Sequence, residues 1–188
     1  PDTGSFTVDG EITMDEKARF RYRGNDIVEE WEKRGDVEVV ALQAWAEIRM
    51  FIRDVDGKTG TVTLSGKCRP SNRERNARYW VENVREGLDS PGEWYLDRKE
   101  GVLSYIPLEG EDLENAEVVA PFLTELVRFE GKPEENRFVH DITLKGLVFR
   151  YTDWTIPRDG YADVQAAYDI PGVITGNGAR SVTIEDCI

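Results

Sequence analysis

The segment Ile142-Thr143-Leu144-Lys145-Gly146-Leu147-Val148-Phe149 is echoed 40 positions later by Val182-Thr183-Ile184-Glu185-Asp186-Cys187-Ile188. Both follow the order apolar, Thr, apolar, polar, then small or polar. Such a repeat constrains a chain severely, because two period-two segments align their apolar positions most simply by lying on one another. Gly172-Val173-Ile174-Thr175-Gly176-Asn177-Gly178-Ala179-Arg180 precedes the second copy and reads strand, Gly/Asn turn, strand. Short strands separated by Gly/Asn corners are the pattern of a parallel β-helix, in which each rung stacks on the one before. The repeat therefore predicts parallel pairing of Val182–Ile188 with Ile142–Val148. Ile142 should match Val182 and Leu144 should match Ile184, stacked inward about 4.8 Å apart. An interval this long implies a loop inserted into the rung, and Arg150–Pro171 supplies it. A stack needs about three rungs to bury a continuous core, and two are visible, so the chain is expected to be a piece of a longer protein.

The rest of the chain also reads as strand. In Ala46–Ile52 one face carries Ala46, Ile48, Met50 and Ile52, and the other Glu47, Arg49 and Phe51, which predicts a half-buried strand. Val37–Leu42 is a denser apolar run that suits a fully covered strand. Asp54–Gly60 is turn chemistry before Thr61–Leu64, and Asp97–Gly101 turns between Trp94–Leu96 and Val102–Ile106, so two hairpins are expected. Glu117–Ala120 and Leu126–Glu130 are further short strand candidates. Helix is scarce. Asp26–Trp31 and Ala77–Leu88 are the candidates, and Asp89-Ser90-Pro91-Gly92 stops the second.

Charge narrows the partners. Of 188 residues, 24 are basic and 37 acidic, a formal charge of −13. Such a chain repels phosphate backbones and anionic lipid, so neither nucleic acid nor membrane is an expected partner. The basic run GKCRPSNRERNAR at 66–78 is expected to be a solvated loop. No apolar run approaches 18 residues, and no basic region followed by an apolar stretch marks a signal peptide. His140 is the single histidine, so a His-rich zinc site is excluded, and a hydrogen-bonded surface or corner position is expected for it. Cys68 and Cys187 are 119 positions apart and are expected to be free, buried thiols. The acids Glu109, Glu111, Asp112 and Glu114 lack calcium-loop spacing. No metal and no cofactor is assigned.

Two blocks resemble a known family. Glu82–Asp97, reading ENVREGLDSPGEWYLD, followed by Gly101–Pro107, reading GVLSYIP, is similar to a block of bacterial right-handed parallel β-helix proteins of the glycoside hydrolase family 141 type. Thr152-Asp153-Trp154 and Gly160–Ala167 resemble their early β-helix rung. Ser104 stands where the family usually has an aromatic. The resemblance runs from about Phe20 to the end. It implies a β-helix with an inserted β-sandwich, a secreted or periplasmic location and hydrolysis of plant cell-wall polysaccharide, with the family's main catalytic acids on rungs beyond Ile188. The expected fold is all-β: an N-terminal segment over 1–19 that could end a preceding β-helix part, a β-sandwich-like domain over 20–135, and β-helix rungs over 136–188 with the loop 150–171 inserted.

A glycosidase needs two carboxyl groups, about 5–5.5 Å apart for retention or roughly 6.5–9.5 Å for inversion. The inserted loop sets acids beside aromatics. Asp163 is the candidate catalytic acid; Trp154 and Tyr161 could stack on sugar rings, and Gln165 and Asp153 could hydrogen-bond their hydroxyls. The plainer alternative is that the aromatics pack the loop and the aspartates make turns. Glu93 and Trp94 form a second acid–aromatic pair, but Trp94, Leu96, Leu103 and Tyr105 look like one face of a sandwich core. Three functions stay open: part of a hydrolase acting on a neutral or branched polysaccharide, a non-catalytic carbohydrate-binding module, or a supporting β module. The first carries the expectation that this chain alone is inactive. A polysaccharide lyase fits poorly, since Arg150 and Arg158 are the loop's basic residues.

Overall fold

The computed structural model describes residues 5–13 and 15–188. Residues 1–4, at the head of the expected N-terminal segment, lie outside them. The protein is all-β, with 3-10 turns as its helical content. The strands are β1 (Phe6–Thr7), β2 (Arg19–Arg21), β3 (Glu38–Leu42), β4 (Glu47–Asp56), β5 (Thr61–Leu64), β6 (Arg78–Glu82), β7 (Trp94–Asp97), β8 (Val102–Tyr105), β9 (Val127–Glu130), β10 (Val139–Lys145), β11 (Tyr161–Ala162), β12 (Ile174–Asn177) and β13 (Ala179–Glu185). The chain divides into two compact units. Residues 1–116 and 156–168 form the first, and 117–155 and 169–188 the second.

The first unit holds a seven-stranded antiparallel sheet in the order β1-β6-β3-β4-β5-β2, with β11 also paired to β4, and the separate two-stranded hairpin β7-β8. A register shift between Ile52 and Asp54 bends β4, so its first half pairs with β3 and its second with β5. The sheet curls until its ends meet. Just past β1, Asp9 N donates to Arg21 O of β2 at 2.8 Å. The concave side holds the core: Val39, Ala41, Ile48, Met50, Ile52, Val62, Leu64 and Tyr79 are each at most 1% exposed. The Tyr79 ring meets Phe20 edge-on at 4.9 Å between centroids and Phe6 at 5.4 Å. The two layers expected of a sandwich are opposite walls of this one curled sheet.

The alternation in Ala46–Ile52 is observed as read, and Val37, Val39, Val40 and Ala41 are fully buried. Both hairpins form. Two helix expectations change. Asp26–Trp31 gives way to a 3-10 turn at Glu29–Arg34, ended by left-handed Gly35. Ala77–Leu88 becomes β6 and a 3-10 turn at Arg85–Gly87, because Tyr79 and Val81 pack with period two and Asn83 has a φ of 58°, which interrupts either element. Glu117–Ala120 forms no strand and is exposed.

In the second unit the predicted parallel pairing is present, with Ile142 opposite Val182 and Leu144 opposite Ile184. It continues through Ile188 N to Leu147 O at 3.0 Å and Phe149 N to Ile188 O at 2.8 Å. β9 and β12 also pair in parallel, Val127 with Ile174, an offset of 47 rather than 40. The seven extra residues are the Lys132–Phe138 turn. Left-handed residues recur at the repeat interval, Asp141 with Ser181 and Gly146 with Asp186. Ile142, Leu144 and Val182 are half-buried, whereas Ile184 is exposed at 48%. A strand pair covers an edge and leaves its faces open. Cys68 is buried, which pushes its thiol up to about 12; Cys187 is half-buried and also free. His140 is exposed, with Nδ1 2.7 Å from the Asp141 carboxylate.

Candidate functional site

The convex face of the curled sheet, opposite its core, carries the polar chemistry. Alternation places Glu38 and Val40 of β3 there, with Trp80 and Glu82 of β6 and Arg49 and Phe51 of β4, because these residues are register partners. Glu38 sits directly opposite Glu82. Like charges across a ladder destabilise it unless something separates or neutralises them. Glu82 is provided for: Arg49 Nη1 donates to it at 3.0 Å and Trp80 Nε1 at 2.7 Å. Glu38 is not. It is 8% exposed, and among the described residues nothing donates a hydrogen bond to its carboxylate. Burial pushes its pKa up, the Glu82 charge adds to this, Arg49 and Arg98 oppose it, and Asp36 pushes slightly upward.

Both carboxylates line an open cavity of about 450 Å³ that also includes Asn83, Trp94 and Arg98. Asn83 is fixed by its amide, which donates to Asp36 Oδ2 at 2.9 Å. Trp94 reverses its expected role. The Trp94–Tyr105 and Leu96–Leu103 pairs of the β7–β8 hairpin were expected to face a core, yet Trp94 is 64% and Leu103 52% exposed, whereas Tyr95 is buried. The hairpin packs through its other face. An exposed indole beside a buried, hydrogen-bond-hungry carboxylate suits a ligand with one apolar face and several hydroxyls.

The folded state holds the Glu38 proton more tightly than the unfolded chain. That stabilisation is complete below the unfolded carboxyl value of about 4.3 and is lost as pH rises through the folded one. Glu38→Gln should therefore stabilise the protein at pH 7 by about 1 kcal/mol, the usual scale for relieving an unsatisfied buried group. Melts at pH 7 and pH 4 check this: the gap should close at pH 4, and equal melting temperatures at pH 7 contradict it.

The loop residues divide between the units. Asp153 and Trp154 belong to the second, and Tyr161, Asp163 and Gln165 to the first. Tyr161 is 9% and Asp163 2% exposed. The Tyr161 hydroxyl donates to Asp163 Oδ2 at 2.9 Å, and Val164 N donates to Asp163 Oδ1 at 2.6 Å. These contacts hold the segment against β4, where Tyr161 pairs with Arg49. Gly66 and Gly160 permit the close approach; a Cβ on Gly66 would fall 1.8 Å from the Asp159 carbonyl oxygen. Gln165 is exposed, and Asp153 and Trp154 are half-buried. The Asp153 carboxylate accepts from Thr155 Oγ1 at 3.0 Å. The loop reading missed Glu38, Glu82 and Arg98. The available signal was one acid inside the otherwise apolar run Val37–Leu42.

No family model matches the chain, and no curated protein does. Its fold is similar to that of a solved structure described as a "Glycoside hydrolase", at 22% identity and a TM-score of 0.64 over 87% of this chain. The chain spans 32% of that protein's length. The likeness establishes a glycoside hydrolase-like, all-β fold.

Proposed function

We propose that this chain is part of a carbohydrate-active protein, in which the first unit binds glycan in the Glu38–Glu82–Trp94 cavity and the second forms coils of a right-handed parallel β-helix. The observation that carries the binding role is the exposed Trp94 indole sharing a cavity with the buried Glu38 carboxylate, which accepts no hydrogen bond among the described residues. The sugar's apolar face stacks on the indole. Its hydroxyls meet Glu38 and the Asn83 and Arg98 side chains. Tyr161 and Asp163 serve the loop's placement, while Trp154, Asp153 and Gln165 do not line this cavity. The fold likeness and the two parallel strand pairs support a whole protein that is a glycoside hydrolase; the resemblance of Glu82–Asp97 and Gly101–Pro107 carries the reading that it is secreted and acts on plant cell-wall polysaccharide. The chain by itself binds without hydrolysing, because Glu82 is held by Arg49 and Trp80, and Glu93, the third carboxylate lining the cavity, is held by the amides of Asp89 and Ser90.

Incubating the purified chain with a panel of soluble plant glycans tests both parts. Retarded migration in affinity electrophoresis without reducing-sugar release is expected. Turnover contradicts the non-catalytic role, and no retardation by any glycan contradicts the binding role.

A further inference from the structure

The chain's charge of −13 hides a local reversal. Beside the Trp94 cavity lies an open recess of about 660 Å³ lined by Lys33, Arg34, Arg85, Arg98 and Lys99, with Asp36 and Asp97 the carboxylates among its walls. Arg98 lines both cavities, so they adjoin. Both acids are already engaged. Asp36 Oδ2 accepts from Asn83, and Asp97 Oδ1 accepts from the amides of Lys99 and Glu100 at 3.0 and 2.9 Å. That second pair of bonds shapes the β7–β8 turn that carries Arg98 and Lys99. Among the described residues no carboxylate ion-pairs with Lys33, Arg85, Arg98 or Lys99. Arg34 gives one nitrogen to Glu86, while its Nη1 is buried with no hydrogen-bond partner. Five cations against two wall carboxylates that are already hydrogen-bonded, with Arg34 keeping an unsatisfied buried donor beside its Glu86 pair, leave a net positive recess that suits an anion.

We infer that this recess holds an anionic group of the bound saccharide, with a uronic-acid carboxylate as the intended ligand, while a neighbouring sugar occupies the Trp94 cavity. The inference rests on the glycan-binding reading above. The acidic remainder of the surface is screened beyond about 8–10 Å at ordinary salt, so the recess governs an anion already at the surface. Guanidinium forks pair with a carboxylate through two parallel hydrogen bonds.

The test titrates the full chain with a neutral oligosaccharide, its C6-oxidised carboxylated counterpart, its sulfated counterpart and inorganic sulfate, at low and at physiological salt. The carboxylated sugar should bind at least tenfold more tightly than the neutral one at physiological salt, where the acidic remainder is screened, and the advantage should not grow in proportion at low salt, where it is not. The double variant Arg85→Gln/Lys99→Gln touches the recess alone and should remove most of that advantage while leaving neutral binding unchanged. Equal binding of neutral and carboxylated sugars overturns the inference and leaves the glycan reading standing. Preference for the sulfated sugar overturns the uronate assignment, and inorganic sulfate binding as tightly as the carboxylated sugar overturns the saccharide assignment. Carboxylated binding that survives Trp94→Ala unchanged, and is lost in the double variant, keeps the anion site and overturns the Trp94 reading. Binding of neither sugar overturns both.

Discussion

Tyr79→Ala should cost the curled-sheet unit about 3–5 kcal/mol, the range for truncating a large buried aromatic, and lower its melting temperature by about 10 °C or more. Tyr79 has no exposed surface. It lies on β6 between Phe6 of β1 and Phe20 of β2, where the two ends of the sheet close on each other, and its hydroxyl donates to Asp26 Oδ2 at 3.3 Å. The substitution removes packing from both edges of the closure. Tyr79→Phe keeps the rings in contact and should cost about 1 kcal/mol, the scale of one hydrogen bond. Urea titration followed by circular dichroism separates the two variants. A loss below about 1 kcal/mol for Tyr79→Ala would mean that the closure is not where the unit's stability resides.

Much of this sheet was legible in the sequence, because alternation exposes one face of a strand and buries the other. Ile48, Met50 and Ile52 are buried as their spacing requires. The parallel register of Ile142 with Val182 was legible from the repeat. Three features were not. Alternation does not say which face of a hairpin packs, and Trp94 and Leu103, on the face that reads as core, stand exposed. In Ala77–Leu88, apolar residues at helical spacing competed with the period-two pair Tyr79 and Val81, and the neighbouring strand β3 decided the outcome. The candidate site was least legible, because Glu38 and Glu82 are 44 residues apart and only the β3–β6 register sets them side by side. The loop aromatics stand close together in sequence, and the fold uses Tyr161 and Asp163 to anchor that loop to β4.

Trp94→Ala should weaken glycan binding about tenfold and leave the melting temperature within about 1 °C of wild type. A sugar ring on one indole face is worth roughly 1–2 kcal/mol at about 25 cal/mol per Å² of apolar surface buried, and 1.4 kcal/mol is a factor of ten. The indole is 64% exposed, so its removal leaves no cavity, and exposed substitutions of this kind usually change stability by less than about 0.5 kcal/mol. Calorimetric titration of both proteins with a glycan retained in affinity electrophoresis gives the ratio.

Amide and indole resonances of the ¹⁵N-labelled chain, followed through the same glycan titration, locate the ligand directly. Shifts gathered at Glu38, Glu82, Asn83, Gly92 and the Trp94 indole, and absent from Trp94→Ala, are the predicted result. Shifts gathered instead at Trp154 and Gln165, with the Trp94 indole unmoved, would contradict a binding site on the curled sheet.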